Sequence, residues 1–250
     1  MSDWLIRRER RPKATHRMYC FPFAGGSAGE FLRWEQQLPD VEIWGVLPPG
    51  RGRRLDEPPY TSATELVTAL LSEVDFAEPF ILFGHSLGAL LAYETARALR
   101  DTGRALPTAL IASAHRPPDE PQVDEHIHDL PDAAFQAAVA ERYPPPPEEL
   151  AEDPEFLGGL HRMLRADLAV FETYRPVPTA PLSCPIIVLC GREDHWSADE
   201  LAGWGRATTA GCAVHLLDGG HFYLPDHPEE AIGIIAEHVE RTTSKELAGG

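Results

Sequence analysis

The chain has 250 residues, 43% of them hydrophobic, enough to bury a full core as one α/β domain with a small insertion. Its formal net charge of −17 at pH 7 argues against nucleic acid and anionic membranes as partners, because both attract basic surfaces. No apolar run is long enough to cross a bilayer. Four scattered cysteines (Cys20, Cys184, Cys190, Cys212) form no C-x-x-C pair. Three of them sit in apolar strand-like runs and are expected to be buried, reduced and inert, which points to the cytoplasm.

In chain order, residues 1–16 are basic and carry no signal core, so a flexible arm is expected, tied down in part by Trp4, Leu5 and Ile6. Strands are predicted at 17–23, 41–47, 80–84 and 109–113, with helical patterns between them at 30–37, 64–74 and 88–100. That alternation implies right-handed crossovers and a mostly parallel central sheet with helices on both faces. From His115 to Pro181 the alternation lapses. Two amphipathic helices are predicted there, at 132–142 and 153–174, joined by "YPPPPEEL". The alternation then resumes with strands at 185–191 and 213–217 and helices at 199–206 and 228–241. The expected organisation is an α/β core over 17–114 and 181–242, a helical lid insertion over 115–180, and a disordered tail over 243–250.

The stretch "FILFGHSLGALLAYETARAL" runs a buried strand into G-x-S-x-G, Gly84 to Gly88, and leaves as a helix. The five-residue pattern is weak alone, but strand before and helix after are what a nucleophile elbow requires. Ser86 is therefore the candidate nucleophile. A serine hydroxyl needs a base, and the base needs an orienting acid. On this architecture the chain order is Ser, acid, His. "REDHW" places Asp194 just beyond one strand end and "DGGHFYL" places His221 beyond the next. Glu193, Asp218 and Asp226 compete with Asp194, which is favoured by its place after the turn at Gly191. His85 and His195 adjoin the site but stand wrongly in that order. The backbone N–H of Leu87 is the expected oxyanion donor, with Ala24 in "FPFAGGSAG" as the second and Gly25 as its alternative. His126 and His128 hint at a metal, but no carboxylate or cysteine at ligand spacing supports one, so a solvated loop is expected. No metal or cofactor is expected.

The segments "YCFPFAGGSAGEF", "LPPGRGRRLDEPPY", "LFGHSLGALLAYETAR", "LRADLAVFETYRP" and "GGHFYL", in this order, resemble the type II thioesterases of polyketide and nonribosomal peptide synthesis. The resemblance runs from about Met18 to about His238. The G-x-S-x-G segment is common to all α/β-hydrolases, whereas "FPFAGG" and "PGRGRR" are more specific. The resemblance implies an α/β-hydrolase fold with Ser86, Asp194 and His221 in the roles derived above. It also implies a stand-alone serine hydrolase that clears acyl groups from the phosphopantetheine arm of acyl or peptidyl carrier proteins. The acid after the later strand fits stand-alone enzymes rather than the chain-releasing domains at synthase C-termini.

Two positions depart from that family. Ala114 and His115 stand where it often has Gly-Arg, and Pro144 to Pro147 stand where it often has a glycine pair in the lid. The prolines imply a stiff lid hinge. Carrier proteins are acidic, as is this chain, so docking calls for a local basic patch. Arg51, Arg53 and Arg54 are its candidates, against an ordinary solvated cluster. A monomer is expected. The competing functions are a carboxylesterase, an acyltransferase or cyclase on the same fold, and a non-catalytic binding module.

Overall fold

Parallel strands need a crossover between them, and in the computed structural model those crossovers build one seven-stranded sheet. The structure describes residues 2–120, 126–146 and 148–249. The strands are β1 (Leu5–Ile6), β2 (His16–Phe21), β3 (Val41–Val46), β4 (Phe80–His85), β5 (Ala109–Ser113), β6 (Ile186–Gly191) and β7 (Cys212–Leu217). Their order is β1-β3-β2-β4-β5-β6-β7, and β1 alone is antiparallel to its neighbour. The order turns back at β2 and β4, so the central strand ends open a crevice between neighbouring loops.

Side-chain alternation along the strands feeds two cores. On one face Tyr19, Leu82, Leu110 and Val188 pack with α1 (Ala63–Glu73) and α2 (Leu87–Asp101). On the other, Met18, Phe83, Ile111 and Leu189 pack with the 3₁₀ helix Phe31–Gln36 and the final helix. Both faces of the central strands are covered, which is why β2, β4, β5 and β6 read as continuous apolar runs.

Between β5 and β6 the described residues contain no named strand. They form α3 (Asp132–Arg142), a 3₁₀ turn at Glu148–Leu150 and α4 (Pro154–Thr173). Asp153 caps α4 by accepting from the N–H groups of Glu155 and Phe156, with Pro154 in the first turn. Residues 121–125 and Pro147, the last of the four lid prolines, lie outside the described residues. The later helices are α5 (Ala198–Leu201), followed by a 3₁₀ turn at Ala202–Ala207, and α6 (Pro228–Gly249).

Two expectations are corrected. The N-terminal arm is built into the sheet. β1 pairs with β3, Leu47 N–H donates to the Trp4 carbonyl at 2.7 Å, and the buried carboxylate of Glu42 accepts from Arg7 at 2.9 Å and Arg11 N–H at 3.0 Å. One of the basic side chains that suggested a solvated arm, Arg7, is thus the partner of a buried acid, while Arg8, Arg10 and Lys13 are exposed. The tail is helical: α6 runs to Gly249, because "SKELA" offers good helix formers to a helix already nucleated.

Candidate active site

β4 turns into α2 through a corner that only small residues permit. A Cβ on Gly84 would stand 2.0 Å from the Gly88 carbonyl oxygen, and one on Gly88 would stand 2.1 Å from that of Phe21. Between them Ser86 adopts φ 54° and ψ −120°, a strained conformation for a residue with a side chain, which costs on the order of 1–3 kcal/mol. Its N–H donates to the Ser113 carbonyl at 2.8 Å, anchoring the corner to β5. The N-terminus of α2 then lies directly behind the hydroxyl.

His221 lies beyond β7 and Asp194 beyond β6. The His221 Nδ1 stands 2.9 Å from Asp194 Oδ2, and the Asp194 side chain is almost fully buried. Burial would raise the Asp194 carboxyl, but the hydrogen bond from His221 and that from the His195 N–H outweigh it, so it titrates below its ordinary value. Cys190 adds its thiol to Oδ2 at 3.6 Å; burial, together with the adjacent carboxylate, pushes that thiol up to about 12. Oδ1 accepts from the His195 backbone N–H and faces His195 Nδ1, both at 2.8 Å. His221 Nε2 is thereby left as the basic atom.

Ser86 and His221 line one cavity of about 470 Å³, walled by Tyr143, Leu168, Phe171 and Trp196. Among the described residues, the N–H groups of Ala24 and Leu87 have no acceptor within the chain. Gly25 differs: its N–H donates to Asp167 Oδ2 at 2.8 Å, which removes it as an oxyanion donor. The same Asp167, on α4, pairs with Arg51 at 2.5 Å, and Arg51 also donates to the Gly26 carbonyl at 3.3 Å. One buried acid thus fixes the loop that carries Ala24.

The arginine patch is not a patch. Arg51 is buried against Asp167. Arg54 is buried too, bonded to Glu57 through two nitrogens and stacked 4.7 Å over Trp4. Arg53 is half-exposed and donates to the carbonyls of Asp3 and Leu5. Two of the three candidate docking arginines are therefore structural: Arg51 is consumed by a long-range pair with Asp167 and Arg54 by the nearby Glu57.

His126 and His128 do meet a carboxylate, contrary to expectation. Glu172 of α4 brings its oxygens near both rings, all ligand atoms lying within 4.8 Å of one another. That carboxylate is already engaged by the lid loop. It accepts from the N–H groups of Ile127 and His128 at 3.1 Å and faces His128 Nδ1 at 2.5 Å. The cluster acts as a clamp between a lid loop and α4.

Behind the site lies a buried polar chain. His85 Nδ1 is 2.8 Å from Ser113 Oγ, which is 2.7 Å from the Tyr223 hydroxyl. Burial first, then the nearby His221, lowers His85 to about 3, so its ring is neutral. The His221 backbone hydrogen-bonds the same ring. Ser113 Oγ thus links the neutral His85 ring to the Tyr223 hydroxyl. Asp167, Ser113 and Tyr223 were not singled out from sequence. The acid within the apolar run "LRADLAVF" was the one visible sign of Asp167.

A family model described as Thioesterase domain matches residues 16–241. Linear gramicidin dehydrogenase LgrE of Brevibacillus parabrevis is 36% identical, over 99% of this chain and 95% of that protein. Thioesterase PikA5 of Streptomyces venezuelae is also 36% identical, over 94% of this chain and 85% of that one. The type II thioesterase BorB from the borrelidin biosynthetic cluster shares the fold with a TM-score of 0.84 at 33% identity, over 96% and 99% of the two chains.

Proposed function

The chain belongs to the thioesterase family of α/β-hydrolases, and on that premise we propose that Ser86, His221 and Asp194 hydrolyse acyl thioesters through an acyl-serine. The supporting observation is the 2.9 Å contact between His221 Nδ1 and the buried Asp194 carboxylate, with His221 and the strained Ser86 sharing one cavity. His221 Nε2 takes the Ser86 proton as Oγ attacks the thioester carbonyl. The oxyanion is held by the N–H groups of Leu87 and Ala24. Collapse breaks the carbon–sulfur bond, and His221 returns the proton to the leaving thiolate. Water, deprotonated by His221, then attacks the acyl-serine and the free acid departs.

The substrate on this reading is an acyl group on the phosphopantetheine arm of a carrier protein, removed when a polyketide or nonribosomal peptide synthase stalls. The likeness to a type II thioesterase from the borrelidin biosynthetic cluster supports it. The protein works as a monomer in the cytoplasm. The test offers one acyl group as carrier-bound thioester, as N-acetylcysteamine thioester and as p-nitrophenyl ester. The carrier-bound form is expected to give the highest kcat/KM, and Ser86→Ala to abolish turnover of all three. Equal or better turnover of the oxygen ester would make this a general esterase. Full activity in Ser86→Ala would remove the acyl-serine.

A further inference from the structure

Glu172 is an acid buried without an arginine or lysine partner. Its side chain is 3% exposed, and among the described residues its one ion-pair partner is His128. Arg165, which also ties the lid loop to α4, is engaged by the His128 and Leu130 carbonyls and by Asp132. A buried carboxylate calls for a cation or a full set of donors. The donors fall short on one oxygen. Oε2 faces the N–H groups of Ile127 and His128 and the His128 ring, whereas among the described residues Oε1 accepts from the Ile127 N–H alone, at 3.1 Å. A lone pair of Oε1 is left over. His126 adds a second imidazole, its ring 5.7 Å from that of His128. One ligand atom from each of the three side chains lies within 4.8 Å of the other two. Both histidines are partly exposed and Glu172 lines the catalytic cavity, so an ion can enter from solvent.

We propose that His126, His128 and Glu172 form a metal site, taking a divalent transition ion of the zinc class that fastens the lid loop to α4. Two imidazole nitrogens and one carboxylate oxygen make a borderline donor set. Zinc, cobalt and nickel accept such a set, and the hard ions magnesium and calcium do not. Bonds of about 2.0–2.2 Å to zinc place ligand atoms roughly 3.3 Å apart, so each side chain has to move by roughly 1 Å. The loop is already set for this. Arg165 and the N–H groups of Ile127 and His128 fix it on α4 without the ion, so little ordering is left to the binding step. The ion neutralises the buried carboxylate, and any proton held by the two imidazoles is released to solvent. Ile127 and Glu172 both line the cavity, so the ion fixes one of its walls.

The experiment takes the full chain, stripped with EDTA, and adds Zn²⁺ in calorimetry and in thermal melts. One equivalent is expected to bind at the site. With zinc in about hundredfold excess over its Kd, Tm is expected to rise by roughly 5–10 °C. The partly exposed His126 ring meets that of His128, so His126→Ala is expected to leave the metal-free Tm within about 2 °C. It is expected to weaken zinc binding at least about tenfold, since even the loss of an outer-shell partner can cost that much. Glu172→Gln, which keeps the shape and removes the charge, is expected to lose the rise in Tm as well. Mg²⁺ at the same concentration is expected to leave Tm where it stands. Three results would overturn the proposal: no rise with Zn²⁺, an equal rise with Mg²⁺, or a full rise in His126→Ala, which would put the ion elsewhere, as at Asp194 and His221. Ser86→Ala is expected to bind zinc as the natural chain does, so the metal site stands or falls apart from the triad reading.

Discussion

His85 stands next to Ser86, the proposed nucleophile, in the chain and next to His221 in space, with ring centroids 5.4 Å apart. It is buried and neutral, while an unfolded chain binds a proton at that position below about pH 6.5. The unfolded state therefore holds more protons between about pH 6.5 and 3, so stability falls as pH falls across that window. One such group removes roughly 1.4 kcal/mol per pH unit once the pH is well below 6.5. His85→Gln is expected to flatten the decline in Tm between pH 6.5 and 4.5 relative to the natural chain. Parallel curves would contradict the neutral, buried assignment. Asp194 works with the same sign at lower pH: its depressed carboxyl contributes stability above its ordinary value, and that stability is lost as acid protonates it. The candidate triad was legible because its members obey a chain order and sit at strand ends. The chain from Tyr223 to His85 was not, because its partners lie 110 and 28 residues apart and ordinary Ser and Tyr carry no local signature.

At the scale of elements, α4 is the part whose role the sequence concealed. Its apolar face was readable from spacing, and its span was read to within a residue at each end. Its function was not, since Asp167 acts on residues 116 and 142 positions away. Removing that acid alone leaves Arg51 charged and buried, which costs about 3–5 kcal/mol. Asp167→Leu is expected to lower Tm markedly. The pair Arg51→Met with Asp167→Leu is expected to recover most of that stability, as apolar replacements of buried ion pairs do. The pair should nonetheless keep a reduced kcat, because Gly25 N–H loses its acceptor and the Ala24 loop loses its anchor. Full recovery of both quantities would show that the loop needs no such anchor. Leu5 and Ile6 were read as tethers of the arm but not as the edge strand β1, for a related reason: two residues are too few for alternation to show, and the strand's support comes from Glu42 and Arg53 on other segments.

For the whole molecule, charge decides how a carrier protein arrives. With a net charge of −17 and two of three candidate docking arginines turned inward, an acidic partner meets repulsion at long range. Raising ionic strength from 50 to 300 mM, both chosen values, is expected to lower KM for the carrier-bound substrate as screening shortens that repulsion. KM for the N-acetylcysteamine thioester should not move. A rise in the carrier KM would reveal an attractive patch instead. The tie between α4 and the Ala24 loop has its own outcome at this scale. The helix that walls the cavity through Leu168 and Phe171 also holds, through Asp167, the loop bearing Ala24, the proposed oxyanion donor. Fit and reactivity are therefore geared to one helix. An acyl group bulky enough to push α4 outward is expected to dislodge that loop as it enters, and so to inhibit competitively where a smaller homologue is turned over.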